Sequence, residues 1–146
     1  MEDGAVAVLL DTDHFSILQA NQSSAAVLRT RLASMPTTDA SVSVISFQEQ
    51  VQGWLAYLNR ARKPAELLKG FYFLRELPKH YNAFPVLPFD QNALDEFENL
   101  KHHRIHIGTN DLRIAAVAKA NRVKLLSRNL RDFRQVPGLD VEDWTV

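Results

Sequence analysis

The chain has 146 residues and no cysteine. That is enough for one domain with a real core, and it excludes disulfides, thiolate zinc sites, iron–sulfur clusters and cysteine nucleophiles. The 17 Lys and Arg balance the 17 Asp and Glu, which excludes a module that grips nucleic acid through bulk positive charge.

Ala5–Leu10 is a short, continuous apolar run followed by turn-capable Asp11-Thr12-Asp13, so it reads as a buried strand with a helix from about Phe15. Asn21-Gln22-Ser23-Ser24 reads as a loop before a second helix over Ala25–Ala33, which Met35-Pro36-Thr37-Thr38 ends. A β-branched strand follows over Ser41–Ile45. Phe47, Val51, Trp54, Leu55 and Leu58 then recur at helical spacing, and Ser46-Phe47-Gln48-Glu49 fits a capping box at that helix's start. Pro64 suits the first turn of a partner helix with a stripe at Leu67, Leu68, Phe71, Leu74 and Leu77, which Pro78 kinks or ends.

Val86–Phe89 reads as an edge strand, and Asp90 as the cap of a helix over Ala93–Leu100. The basic segment Lys101-His102-His103-Arg104-Ile105-His106 reads as a solvated or RNA-facing loop, since its histidines lack the carboxylates of a zinc site. An Ala-rich helix over Leu112–Ala120, a strand over Val123–Leu126 and a last strand over Leu139–Val141 complete the chain. This alternation predicts one α/β domain over residues 1–146, with a mainly parallel sheet flanked by helices. No apolar stretch approaches the roughly 18 residues of a membrane span. The start at Glu2 and Asp3 lacks signal-peptide form, so a cytoplasmic protein is expected, with no membrane partner.

Asp11, Glu49, Asp111 and Asp132 each stand where an apolar run gives way to a helix start. In a parallel sheet those positions open into the crevice beyond the strands' carboxyl ends. Each acid also has a structural reading: Glu49 in a capping box, Asp111 against a helix dipole, Asp11 or Asp13 as a cap, and Asp132 in a solvated turn. Together they form a self-repelling, all-oxygen cluster of the kind that hard divalent cations neutralise. His14 reads as a turn residue. Trp54, Tyr57, Phe71, Tyr72 and Phe73 read as core, with Tyr57 and Tyr72 outside the main stripes and room for a partner groove between the two helices.

Four segments carry a family resemblance: Val8-Leu9-Leu10-Asp11-Thr12-Asp13, Val44-Ile45-Ser46-Phe47-Gln48-Glu49, Gly108-Thr109-Asn110-Asp111-Leu112-Arg113-Ile114-Ala115-Ala116 and Leu126-Ser127-Arg128-Asn129-Leu130-Arg131-Asp132-Phe133. In order and spacing they resemble the acidic motifs of PIN-domain ribonucleases. The ending Val136-Pro137-Gly138-Leu139-Asp140-Val141-Glu142-Asp143-Trp144 resembles VapC-type toxins of bacterial toxin–antitoxin pairs. The resemblance implies a metal-dependent endoribonuclease that uses magnesium or manganese and leaves a 5′-phosphate and a 3′-hydroxyl. It also implies an RNA substrate, a VapB-like antitoxin in a groove, and a homodimer.

By the same resemblance Asp11, Glu49 and Asp111 are catalytic metal-site acids, and Asp132 is a further one. Many relatives carry Asp where this chain has Asn129, while relatives of the toxin type show Asn there with an acid three residues on. Thr12, Ser46, Ser127 and Asn129 are supporting residues. Two rival readings stand beside this one. Asp11-Thr12-Asp13 after a strand mimics a haloacid dehalogenase-like phosphatase, but Phe15 departs from that pattern and Glu49 and Asp111 would have no role. The other rival is a catalytically inactive PIN-fold domain that binds RNA or a partner.

Overall fold

The computed structural model describes residues 7–20 and 23–146. Glu2, Asp3, the first two residues of the Ala5–Leu10 run and the Asn21-Gln22 pair lie outside the described residues. Among the described residues five strands, β1 (Val8–Leu10), β2 (Ala40–Ser43), β3 (Val86–Leu87), β4 (Lys124–Leu126) and β5 (Val141–Glu142), form one sheet in the order β3-β2-β1-β4-β5. Every pairing is parallel, with Val8 opposite both Ala40 and Lys124. Strands covered on both faces need apolar side chains at every position, not at every second one. Val8, Leu9 and Leu10 are accordingly all fully buried. The pleat divides them between two cores: Leu9 packs with Phe97, Leu100 and Ile114, and Val8 and Leu10 pack with Phe15, Leu28 and Leu77.

Among the described residues seven α-helices cover the sheet: α1 (Thr12–Ala20), α2 (Ala25–Ala33), α3 (Val44–Arg60), α4 (Pro64–Asn82), α5 (Gln91–Lys101), α6 (Thr109–Asn121) and the single turn α7 (Leu130–Phe133). None of them is long and apolar enough to cross a membrane. The α3–α4 hairpin and the Asp90 cap, which accepts from the Ala93 N–H at 3.1 Å, match the sequence reading.

Three local features differ from that reading. Val44 and Ile45 are helical, because Ser43 caps α3 by accepting the Ser46 N–H at 3.2 Å. Ser46 is therefore not the cap, and Glu49 is free to point elsewhere. α1 begins at Thr12, three residues earlier than expected, and His14 lies inside it, fully buried. Of the two outcomes open at Pro78, an end is excluded, since α4 runs on to Asn82. Beyond the proline Tyr81 is held by the rings of Phe15 and Phe47, with centroids 4.8 and 5.0 Å away, and this packing carries the helix past the missing N–H.

The third difference is the amino-terminal half of the α4 stripe. Leu67, Leu68 and Phe71 are exposed, Leu68 by 75%, and Tyr72, read as outside the stripe, is exposed as well. Trp54 instead stacks on Phe73, with ring centroids 4.9 Å apart, and lines a groove with Tyr57.

Candidate active site

Parallel strands deliver their successors to one edge of the sheet, and the acids gather there. Asp11 is the residue after β1, and its N–H donates to Leu126 O at 3.0 Å, extending the ladder by one bond. Its side chain then starts α1, where Oδ1 accepts the His14 N–H at 2.8 Å. One carboxylate oxygen is thereby spent on the helix cap, and Oδ2 is left for the cleft. Glu49 stands in the second turn of α3, after β2. Asp111 stands in the first turn of α6, whose amino end faces the same edge, and Asn129 follows β4.

These elements enclose an open cleft of about 590 Å³ lined by Asp11, Thr12, Asp13, Ser16, Glu49, Gln50, Asp111, Arg128 and Asn129. Asp132 is half-buried and is not among the lining residues. It connects to the cleft through Asn129, whose Nδ2 donates to Asp132 Oδ2 at 2.9 Å. Of the supporting residues, Ser127 is buried and accepts the Asn129 N–H at 2.9 Å, which sets the turn that aims the amide.

Glu49 is held from two sides. Thr12 Oγ1 donates to Glu49 Oε1 at 2.6 Å. That uses the only Thr12 hydroxyl proton, so in the 2.8 Å contact with Ser46 it is Ser46 that donates to Thr12. From the other side Asn110 Nδ2 donates to Glu49 Oε2 at 3.3 Å, and Arg113 Nη1 donates to Asn110 Oδ1 at 2.8 Å. The carboxylate is thus fixed from both sides by neutral donors.

Asp111 is the opposite case. Among the described residues it has no hydrogen-bond or ion-pair partner. Burial pushes its carboxyl up to about 6, and the charges of Glu49, Asp11 and Asp132 add to the effect. A divalent cation held by these carboxylates would remove the repulsion, and an all-oxygen donor set suits a hard ion. The residues therefore fit a hard divalent cation.

Asp11, Asp13 and His14 also bring a ligand atom each to within 4.8 Å of one another. Two of its members are engaged elsewhere, Asp13 by Arg128 and His14 Nε2 by the backbone of Trp144, so the trio is read as framework around Asp11. Arg128 takes both Asp13 oxygens, through Nε at 2.7 Å and Nη2 at 2.9 Å. The Trp144 N–H donates to His14 Nε2 at 3.2 Å, which places the ring proton on Nδ1, 3.5 Å from Asp11 Oδ1. Among the described residues Nδ1 makes no hydrogen bond, and it is the His14 backbone N–H that holds the acid facing the cleft. The sequence alone does not point to the roles of Asp13, Arg128, Asn110, Arg113 and His14. The one sequence signal for any of them is that Asn110 and Arg113 flank Asp111.

Residues 8–139 match the family model described as PIN domain. Over 64 residues the chain is 37% identical to ribonuclease VapC1 of Rickettsia felis, a match covering 41% of this chain and 48% of that protein. The chain thus spans about half the length of that curated relative. Among solved structures it resembles DNA-bound VapBC from Salmonella typhimurium, with a TM-score of 0.72 and 20% identity over 96% of this chain and 99% of that one. It also resembles FitAcB from Neisseria gonorrhoeae, with a TM-score of 0.72 and 22% identity over 93% of this chain and 96% of that one. At such identities the structural likeness shows the fold.

Proposed function

This chain belongs to the PIN domain family, and from that premise we propose that it is a divalent-metal-dependent endoribonuclease, the toxin of a toxin–antitoxin pair, acting in the cytoplasm. The observation that carries the reading is the convergence of Asp11, Glu49 and Asp111 on one cleft, with Asp111 unpartnered among the described residues and its carboxyl raised to about 6. The likeness to ribonuclease VapC1 supports RNA as the substrate, and the VapBC and FitAcB structures support an antitoxin partner. The exposed Leu67, Leu68, Phe71 and Tyr72 leave an apolar face for protein partners, a second copy included.

Asp11, Glu49 and Asp111 would hold magnesium or manganese, with Asp132 as a fourth acid. A bound ion supplies a water acidic enough to ionise near neutral pH and neutralises charge on the phosphoryl oxygens. The protein's own part is orientation. Thr12 and Asn110 fix Glu49, the α1 cap turns Asp11 Oδ2 toward the cleft, and Asn129 steers Asp132. The phosphatase reading loses its general acid, because Arg128 occupies both oxygens of Asp13.

The test is to incubate the purified chain with total cellular RNA and magnesium and to sequence the new ends. New 5′-phosphate ends at defined sites are expected. Release of inorganic phosphate from small monoesters with RNA left intact would instead establish a phosphatase.

The departure at Asn129 gives a second expected result. An amide offers a neutral oxygen but no charge. Asp132→Ala is therefore expected to raise the metal concentration needed for cleavage, by about 10-fold on the scale of partners that orient metal ligands. Asn129→Asp is expected to preserve or tighten metal binding. Titration of manganese by electron paramagnetic resonance checks both. No change for Asp132→Ala with collapse for Asn129→Asp would remove Asp132 from the site.

A further inference from the structure

A cleft lined with carboxylates repels the phosphates of its own substrate, so cations beside it must supply the grip on a polyanion. Arg128 lies on the cleft, but Asp13 neutralises it in a two-pronged ion pair. Unneutralised charge lies just outside. The segment between α5 and α6 alternates: Ile105 and Ile107 pack against the core, while Arg104 and His106 are exposed. In an extended segment, alternate side chains share a face, so the apolar pair anchors the loop and the basic pair faces solvent.

Gln135 fastens this loop beside α7. Its Oε1 accepts the His106 N–H at 3.1 Å, and its Nε2 donates to His106 O at 3.5 Å. Arg131 and Arg134 come from α7 and its C-cap; Arg134 is exposed, and so is Arg131. Among the described residues no carboxylate lies within ion-pair distance of Arg104, Arg131 or Arg134, whereas nearby Glu98 is engaged by Lys101 at 3.2 Å. α6 begins at the cleft edge and Asn129 of the cleft leads into α7, so α7 and the end of the loop lie beside the cleft, with Gln135 tying His106 to that side.

We propose that Arg104, His106, Arg131 and Arg134 form a basic rim that holds the phosphodiester backbone of RNA alongside the cleft. This rests on reading the chain as a ribonuclease. The rim binds without selecting sequence, because phosphate contacts position a nucleic acid and do not specify its bases. A chain of zero net charge can thereby grip RNA locally.

The experiment measures binding of a fluorescent, single-stranded RNA of mixed sequence by anisotropy across a salt series. The Asp11→Asn protein is used so that the RNA survives. Adding Arg104→Glu, Arg131→Glu and Arg134→Glu together is expected to weaken binding about 10-fold or more. The slope of log affinity against log salt should flatten by about 2, at roughly 0.7 for each phosphate that the rim no longer neutralises. The triple Arg→Gln set should act in the same direction with a smaller effect, and Arg122→Glu, on the opposite edge of the sheet, should change affinity less than about 2-fold.

Equal losses from Arg122→Glu and from the rim would mean bulk charge, and would overturn the proposal. Unchanged RNA affinity in the triple Glu protein, while the native chain still cleaves RNA with metal, overturns the rim and leaves the cleft reading intact. If the native chain neither binds nor cleaves RNA, both fall.

Discussion

Excess chelator is expected to stop RNA cleavage, magnesium or manganese to restore it, and Asp11→Asn to stop it with metal present. The loss should be about 100-fold or more, since even partners of metal ligands are worth roughly 10–100-fold. Asparagine is the informative replacement because of the cap. Asp11 uses Oδ1 to accept the His14 N–H, and an asparagine oxygen caps a helix as well as an aspartate does. Only the charge and the second oxygen are lost, so the thermal midpoint should stay within a few degrees while manganese binding collapses. Asp11→Ala removes the cap too, and should cost about 1 kcal/mol of stability in addition. Near-normal turnover in the asparagine variant, or cleavage that persists in chelator with contaminating nuclease excluded, would remove Asp11 and the metal from the mechanism.

Asp111→Asn is expected to abolish cleavage and to stabilise the metal-free fold. The carboxyl of Asp111 is raised from 3.8 to about 6, by burial first and by its acidic neighbours next. For a carboxyl raised in the folded state, the folded form binds the proton more tightly than the unfolded one. Its contribution to stability is fully present below the unfolded value and is lost as pH rises through about 6. The metal-free wild type should therefore gain stability from this group between pH 7 and pH 5, and the asparagine variant should lack that gain. At pH 7.5 the variant should be more stable by on the order of 1 kcal/mol, after discounting for solvent screening of a half-buried group. That corresponds to about 3 °C for a chain of this size. Thermal melts of both proteins in chelator, at several pH values, check the sign. A metal-free variant less stable than wild type at pH 7.5 would show that the repulsion at Asp111 is not what the geometry implies. Saturating metal should reverse the order, because only the wild type gains binding energy.

How much of the fold and site is legible in the sequence depends on the range of the interactions. The strands are visible because fully buried parallel strands leave continuous apolar runs, as at Val8-Leu9-Leu10 and Leu125-Leu126. The acids are visible because they stand where such runs give way to helices. α7 is not visible, since four residues carry no helical period. Boundaries move where a neighbouring hydroxyl takes the cap, as Ser43 does from Ser46.

The α4 stripe shows a different limit. Periodicity identifies an apolar face but not what covers it, and Leu68 and Phe71 face outward. Contacts between distant segments leave no local trace. Arg128 meets Asp13 and Trp144 meets His14 across more than 100 residues of chain.

The position of β1 bears on when the cleft comes into being. β1 is central, flanked by β2 on one side and β4 on the other, with Leu10 opposite Val42 and Leu126. A ribosome delivers β1 and β2 early, but β4 only after Lys124 has been made. Until then Asp11 has no Leu126 carbonyl to fix its backbone, and Arg128 and Asn129 do not yet exist. On the ribonuclease reading, a growing chain therefore has no complete cleft with which to cut RNA until β4 and the residues after it have been made.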